Sequence, residues 1–432
     1  MNLRFQYLIR YLIVAMVFCI PVLANAQNRN TDSLRLTIPE AEGLFLKNNL
    51  QLLAEQYNID INRAFADQAK LWDNPLLVTD QNIYDGKFFR HGTENGVQYG
   101  EIYVQVQQLI RTAGKIKKQT RLANDNTLGA KAQFEDVMRN LRYVLSTDMN
   151  NLAQLQNTST VYTTEISTMQ SLVKGMDEML RVGDISQKEN IRVKALLFSL
   201  QNELSENIRQ QVDLEKELAM LLHLDDTSWV ISLAGESFDS TKISDLKPGL
   251  LRDSAIQFRP DLNFAKIAIQ YQSHNIAYQK SLASPDLNAG VEYDKLNSYV
   301  PNYWGLYLAL PLPVFNRNQG NIKAAKLASQ QTDINFQQAQ NQVSREVTSA
   351  WQKLINATGM LNTDNNQLQS NYDTLMKNML DSYRKRQVSL IEFIDFFEAY
   401  KDTRVKEWQL ITNQRNAAAE LNFAVNRPVI QL

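Results

Sequence analysis

The sequence predicts a mainly α-helical chain with a small β part, laid out as two successive helix–strand–strand–helix halves. Three observations carry this: two stretches without proline, four short segments of alternating polarity, and an internal repeat. The ten prolines fall at 21, 39, 75, 248, 260, 285, 301, 311, 313 and 428, so none lies between Pro75 and Pro248 or between Pro313 and Pro428. Proline breaks helices and glycine, also sparse there, weakens them, so these stretches are able to hold very long ones. Lys115 to about Arg181 would run on the order of 100 Å at a rise of ~1.5 Å per residue. That exceeds an ordinary globular helix and suggests a coiled-coil-like array.

The β part is predicted as strands over about 76–84, 98–110, 286–295 and 302–312. Ile102, Val104 and Val106 share one face while Glu101, Tyr103, Gln105 and Gln107 take the other. Leu287, Ala289, Val291 and Tyr293 alternate with Asn288, Gly290, Glu292 and Asp294, and Trp304, Leu306, Leu308 and Leu310 alternate with Gly305, Tyr307 and Ala309. This is period 2, apolar on one side and polar or small on the other. Tyr84, Phe88, Phe89, Tyr293, Tyr299, Tyr303 and Trp304 gather at the strand ends, as in the aromatic girdles of membrane barrels. A soluble sheet packed on one face alternates in the same way, and the strands alone leave both readings open.

The halves repeat. "LWDNPLLVTDQNIYDG" (71–86) matches "LASPDLNAGVEYDK" (282–295), "GKIK" (114–117) matches "GNIK" (320–323), and "MLRVGDISQKENIRVKA" (179–195) matches "SYRKRQVSLIEFIDFFEA" (382–399), in constant order. The offsets of 210, 206 and 203 residues drift little, and such ordered matches are the mark of internal duplication. The expected organisation is a leader at 1–26, a first repeat at 27–224 with its hairpin tip near 181–189, an inter-repeat segment at 225–250, a second repeat at 251–426 with its tip near 384–395, and a tail at 427–432.

The leader reads as a secretory signal peptide: Arg4 and Arg10, an apolar run from Tyr11 to Leu23, then Ala24-Asn25-Ala26 as an A-x-A cleavage site. Cys19, the only cysteine, lies inside it, so no disulfide or thiolate metal site is expected beyond it. A formal charge of −1 carries no basic excess for nucleic acid. No stretch beyond the leader holds ~18 uninterrupted apolar residues, so insertion into a membrane would require a β-barrel. Four strands enclose no lumen and leave open edges in lipid, whereas three copies pooling twelve strands leave a channel.

This ordered set resembles the outer membrane factors, the TolC-like efflux channels, over residues 38–426. The resemblance rests on the N-P or S-P before each outgoing strand, the Gly-bearing start of each long helix, and tips of the type Y-x-x-G-x-x-S-x-x-[DE]. It implies a homotrimer whose twelve-stranded outer-membrane barrel continues into a long periplasmic α-barrel, belted by 225–250. It also implies a periplasmic adaptor and an inner-membrane pump of the resistance-nodulation-division type as partners, with passive export of small molecules or metal cations. The loop "FFRHGTENGVQYGEIYVQ" is similar to the cobalt–zinc–cadmium branch of that family. Glu392 and Asp395 match the paired acids that ring the closed periplasmic aperture in the family, and Glu189 takes the equivalent place in the first repeat. Gly183, Arg384, Lys385, Arg386 and Ser389 fall on the tips that would dock the adaptor. Ile102, Val104, Val106, Leu287, Val291, Trp304, Leu306, Leu308 and Leu310 would face lipid. The sequence departs from the family pattern with Arg386 in place of a tip glycine, with His223 in place of a glycine near the end of the first return helix, and in lacking a lipidation signal.

The competing reading of Glu392 and Asp395 is two solvated acids at a helix start, where carboxylates are favoured. Phe393, Phe396, Phe397 and Tyr400 form a helical apolar stripe expected to pack against the first hairpin. Catalysis is not expected, and neither a cofactor nor a metal is assigned: His91, His223 and His274 lack metal spacing, and no P-loop or G-x-S-x-G occurs. The rival from another class is a periplasmic coiled-coil scaffold or adaptor without transport activity.

Overall fold

The computed structural model describes residues 32–84, 86–225, 227–235, 243, 246–297, 300–361 and 365–431. The expected leader and part of the 225–250 segment lie outside the described residues. In chain order the elements are β1 (Asp32–Leu36), α1 (Ile38–Asn48), α2 (Leu50–Gln68), β2 (Leu76–Gln81), β3 (Gly92–Glu94), β4 (Val97–Tyr99), β5 (Ile102–Ile110), α3 (Lys115–Arg181), α4 (Gln187–Leu222), β6 (Ser228–Ser232), α5 (Pro248–Phe258), α6 (Pro260–Leu282), β7 (Leu287–Asp294), β8 (Tyr303–Ala309), α7 (Gln319–Leu361), α8 (Asn365–Arg384) and α9 (Leu390–Val425). The proline-free stretches hold the long helices, α3 and α4 in the first and α7, α8 and α9 in the second, and α3 alone has 67 residues.

The chain divides into two compact units, Met1–Asn48 with Asp148–Ala234 and Asn49–Thr147 with Gly235–Leu432. In the first, β1 and β6 form a parallel two-stranded ladder that the sequence reading did not anticipate. Gln156 of α3 ties β6 down, donating to the Val230 carbonyl and accepting from the Ser232 N–H, both at 3.1 Å. Met149, Leu152, Met169, Met176, Val193, Leu200 and Leu218 are buried along α3 and α4. Burial, with the Glu217 carboxylate added, pushes Asp148 up to about 6.

In the second unit α5, α6, α7 and α9 bury Leu251, Ala255, Leu262, Val347, Leu354 and Leu421 in one core. Two buried arginines close the end of α9, whose last carbonyls have no helical donor. Arg259 donates to both Asp261 carboxylate oxygens (3.0 and 2.6 Å), to Glu346 Oε2 (2.6 Å) and to the Ala424 carbonyl (3.3 Å). Arg139 donates to Asp136 and to the Phe423 carbonyl (3.2 Å), with its guanidinium 4.3 Å from the Phe423 ring centroid. A mostly buried charge survives only with such partners.

The same unit carries an antiparallel sheet in the order β2-β5-β7-β8. The observed strands are shorter than expected. The 98–110 segment breaks at Gly100, whose φ of +86 suits glycine and where a Cβ would meet His91. Its first residues pair instead as β4 with β3 across an Asn95-Gly96 turn, both residues at positive φ. Ladder pairing in the last strand ends at Ala309, before Pro311. At the junction with α3, Arg111 grips Asp73 with two bonds of 2.7 Å, and Lys115 pairs with Asp286 at 2.6 Å. The left-handed residue before the second long helix is Asn318 (φ 56), while Gly320 already lies inside α7. "GKIK" and "GNIK" therefore enter their helices two residues out of step.

Replacing Arg259 with Ala takes the buried cation away from the partly exposed Asp261 and Glu346 and leaves the Ala424 carbonyl without that donor; it is expected to cost about 1–3 kcal/mol in chemical denaturation. Burial alone would raise the Asp261 carboxyl, but Arg259 beside it overrides this and holds it below its ordinary value. The folded state therefore binds that proton less tightly than the unfolded one. Its stabilisation is present above the ordinary carboxylate range and is lost as pH falls through the lowered folded value. Wild type is expected to lose more stability than Asp261→Asn in a titration from pH 6 to 2.

Candidate functional site

Two places stand out: the face of the four-stranded sheet and the tips of the two helical hairpins. Register aligns Leu77, Val106, Val291 and Leu306 across the sheet, and Val104, Tyr293 and Trp304 one step along. All eight ladder residues expected to face lipid therefore share one face. Val106, Val291, Trp304, Leu306 and Leu308 are exposed, and Ile102, Val104 and Leu287 are half-buried. Leu310, the ninth, lies just past the ladder and is exposed. Trp304 and Leu306 expose 74% and 72% of their surface, an apolar row that a water-soluble sheet would have covered. The opposite face is polar: Tyr103 Oη and Gln105 Nε2 donate to Glu292 Oε2 at 3.0 and 3.1 Å. Gly290 sits on that face where a Cβ would come within 2.5 Å of the Val106 carbonyl, so the strands approach too closely there for any side chain.

The hairpin tips are built alike. The helices before the turns end at Gly183 (φ +80) and Arg386 (φ +61), both left-handed. In each, the next N–H reaches back five residues, Asp184 to Met179 and Gln387 to Ser382, each at 2.8 Å. Arg386 thus does the work of Gly183 despite its Cβ. The return helices α4 and α9 each hold 36 residues and each open on a serine N-cap with a capping box. The Ser186 N–H donates to Glu189 Oε2 at 2.9 Å, and the Ser389 N–H donates to Glu392 Oε2 at 2.8 Å. The C-terminal ends match too, at His223 (φ 51) and Asn426 (φ 57).

Glu189 and Glu392 are therefore each tied to the start of their own helix. The Ser389 N–H and hydroxyl hold the Glu392 carboxyl below its ordinary range. Asp395, one turn on, is exposed. The S-x-x-E signature of a capping box is present in "SQKE" and "SLIE". Arg384 lies 3.8 Å from Asp381 on its own helix, and Lys385 is exposed.

Inside the tips the chemistry differs. The first hairpin is fastened by Asp177, which accepts from buried Asn190 at 2.8 Å and pairs with half-exposed Lys194 at 2.7 Å. These contacts hold the Asp177 carboxyl low, the Lys194 hydrogen bond foremost. At the positions matching Asn190 and Lys194, the second hairpin has Phe393 and Phe397, both fully buried, with Phe393 stacked on Tyr383 at 5.1 Å. Phe393 thus packs within its own hairpin, against Tyr383 and Phe397.

No family model and no curated relative matches the sequence. Solved structures match the fold over most of its length. A membrane protein from Pseudomonas aeruginosa superposes with a TM-score of 0.74 at 15% identity, covering 90% of this chain and 93% of that one. The CmeC outer membrane channel of Campylobacter jejuni gives 0.72 at 16% identity, covering 90% and 85%. The outer membrane protein VceC of Vibrio cholerae gives 0.71 at 14% identity, covering 90% and 96%. At such identities the likeness is one of fold, and the mainly helical fold with a small sheet, read from the sequence as that of the TolC-like channels, is the one this chain shares with solved outer membrane channels.

Proposed function

We propose that the chain is the outer-membrane exit duct of a tripartite efflux system, acting as a homotrimer, passive in itself and without enzymatic activity. The observation that carries this reading is the exposed apolar sheet face with a polar back. Among the described residues no helix is long and apolar enough to cross a membrane, so the sheet is the part suited to lipid. An open sheet in lipid leaves the edges of β2 and β8 unsatisfied. Because the four strands alternate in direction, β8 of one copy can continue antiparallel onto β2 of the next, and three copies close twelve strands. The polar face with Glu292, Tyr103 and Gln105 then lines the lumen.

At the other end, Glu392, Asp395 and Glu189 form the charged throat, and Gly183, Arg384, Lys385, Arg386 and Ser389 lie on the surface that meets a periplasmic adaptor. An inner-membrane pump of the resistance-nodulation-division type supplies the energy. Cargo is a small molecule or a metal cation, in keeping with the loop similarity to the cobalt–zinc–cadmium branch. The first hairpin, fastened by a half-exposed ion pair, is the one that yields on opening, while the aromatic hairpin holds its form.

Leu306→Arg is expected to cost about 2–4 kcal/mol near the bilayer midplane and to abolish trimer recovery from outer membranes; normal yield would remove this face from lipid. Glu392→Ala combined with Asp395→Ala is expected to lower cation selectivity in single-channel recordings across planar bilayers, and unchanged currents would take both acids out of the throat. Raising salt from 0.05 to 1 M screens the exposed Asp177–Lys194 pair. Hydrogen exchange over 177–194 should accelerate up to about fivefold, while 380–397 stays unchanged.

A further inference from the structure

We propose that residues 310–315, "LPLPVF", are a membrane wedge: they extend the lipid-facing row of β8 beyond the sheet, to the headgroup level at its helical end. This rests on the sheet-in-membrane reading above and adds to it a surface that the ladder does not include. The ladder ends at Ala309, but the apolar row does not. Trp304, Leu306 and Leu308 are followed at the same two-residue spacing by Leu310, Leu312 and Val314, exposed by 49%, 74% and 57%, and then by Phe315 at 92%.

Length is the first argument. From Trp304 to Ala309 is ~17 Å at ~3.3 Å per residue, which shrinks to about 13 Å for a strand tilted ~40°, half of the ~25 Å apolar band of a membrane barrel. Continuing to Leu312, where the chain turns, lengthens the path to ~26 Å, or about 20 Å once tilted, most of that band. Phe315 then stands at the second interface as Tyr303 and Trp304 stand at the first.

Backbone chemistry is the second. Outside a ladder, each N–H in lipid needs a partner or costs several kcal/mol. Pro311 and Pro313 have no N–H to satisfy, and the Val314 N–H donates to the Leu312 carbonyl at 2.9 Å. Two of these six residues thus have no N–H and a third turns its N–H back onto the segment, in a tight turn at Pro313, so the run past the ladder exposes fewer donors than an ordinary strand would. The corresponding junction after β5 is built in the opposite way, with Arg111, Thr112 and Lys115 tied to Asp73 and Asp286. Exposed Arg317 follows directly and sets a guanidinium at phosphate level. The occupant of this surface is therefore a phospholipid leaflet.

Cys19 is the only cysteine, so Phe315→Cys and Leu306→Cys, each with Cys19→Ser, accept one environment-sensitive fluorophore; Val314→Cys is a second reporter for the wedge. Full-length protein is reconstituted into phosphatidylcholine–phosphatidylglycerol vesicles carrying lipids spin-labelled near the headgroup or deep in the acyl chain. The expected result is quenching of position 306 most by the deep label and of 315 and 314 most by the shallow one, by about twofold or more. If 306 is quenched while 315 and 314 are not, the wedge is wrong and the lipid-facing sheet stands. Blue-shifted emission in that case identifies a second copy as the cover, and water-like emission identifies none. If no position is quenched, the sheet reading fails together with the wedge.

Discussion

The constraint on which everything else depends is the unpaired backbone along β2 and β8. A four-stranded sheet whose outward face is bare leucine, valine and tryptophan is stable neither in water, where that face is uncovered, nor alone in lipid, where two edges lack partners. Both problems are removed at once when copies join edge to edge within a bilayer. The strand number makes this possible, because an even, alternating set presents complementary edges at its two ends. On the function proposed above, assembly is not an addition to the fold but the condition under which this sheet has an environment.

The helical part solves a different problem. Helices of this length have many turns but little natural depth, and their ends are where backbone groups go unsatisfied. The chain treats those ends with unusual uniformity. Thr37, Ser186 and Ser389 each cap a helix start with a glutamate three residues on. Gly183, His223, Arg386 and Asn426 each close a helix in the left-handed region. Where α9 ends against its neighbours, Arg139 of α3 and Arg259, between α5 and α6, supply donors. Local chemistry fixes the lengths, and packing fixes the rest.

Much of this was legible in the sequence, and the parts that were not share a physical reason. Absence of proline located α3, α4, α7 and α9, and period-2 alternation located the sheet and chose its apolar face correctly. Strand ends were overestimated because alternation continues where pairing does not: Leu310 and Leu312 keep the pattern beyond the ladder, and Val97–Tyr99 keeps it while pairing elsewhere. The β1–β6 ladder was invisible because each strand is five residues long and its partner is remote in sequence. The arginine pair was invisible because an isolated Arg reads as surface until its carboxylates and carbonyls are seen around it. At the tips the serine and glutamate of each capping box stand three apart in the sequence, but only the structure shows the carboxylate tied back to the helix start.

Duplication has one further consequence at those tips. In an assembly of identical single-hairpin subunits, every hairpin must carry the same chemistry, so all would respond alike to any signal. A chain whose two hairpins have return helices of equal length and equal caps but unequal fastenings lowers that symmetry. Asp177 and Lys194 answer to salt and charge, whereas Phe393 and Tyr383 do not. Holding and yielding can then be assigned to different copies of one motif, and selection can adjust either without disturbing the other.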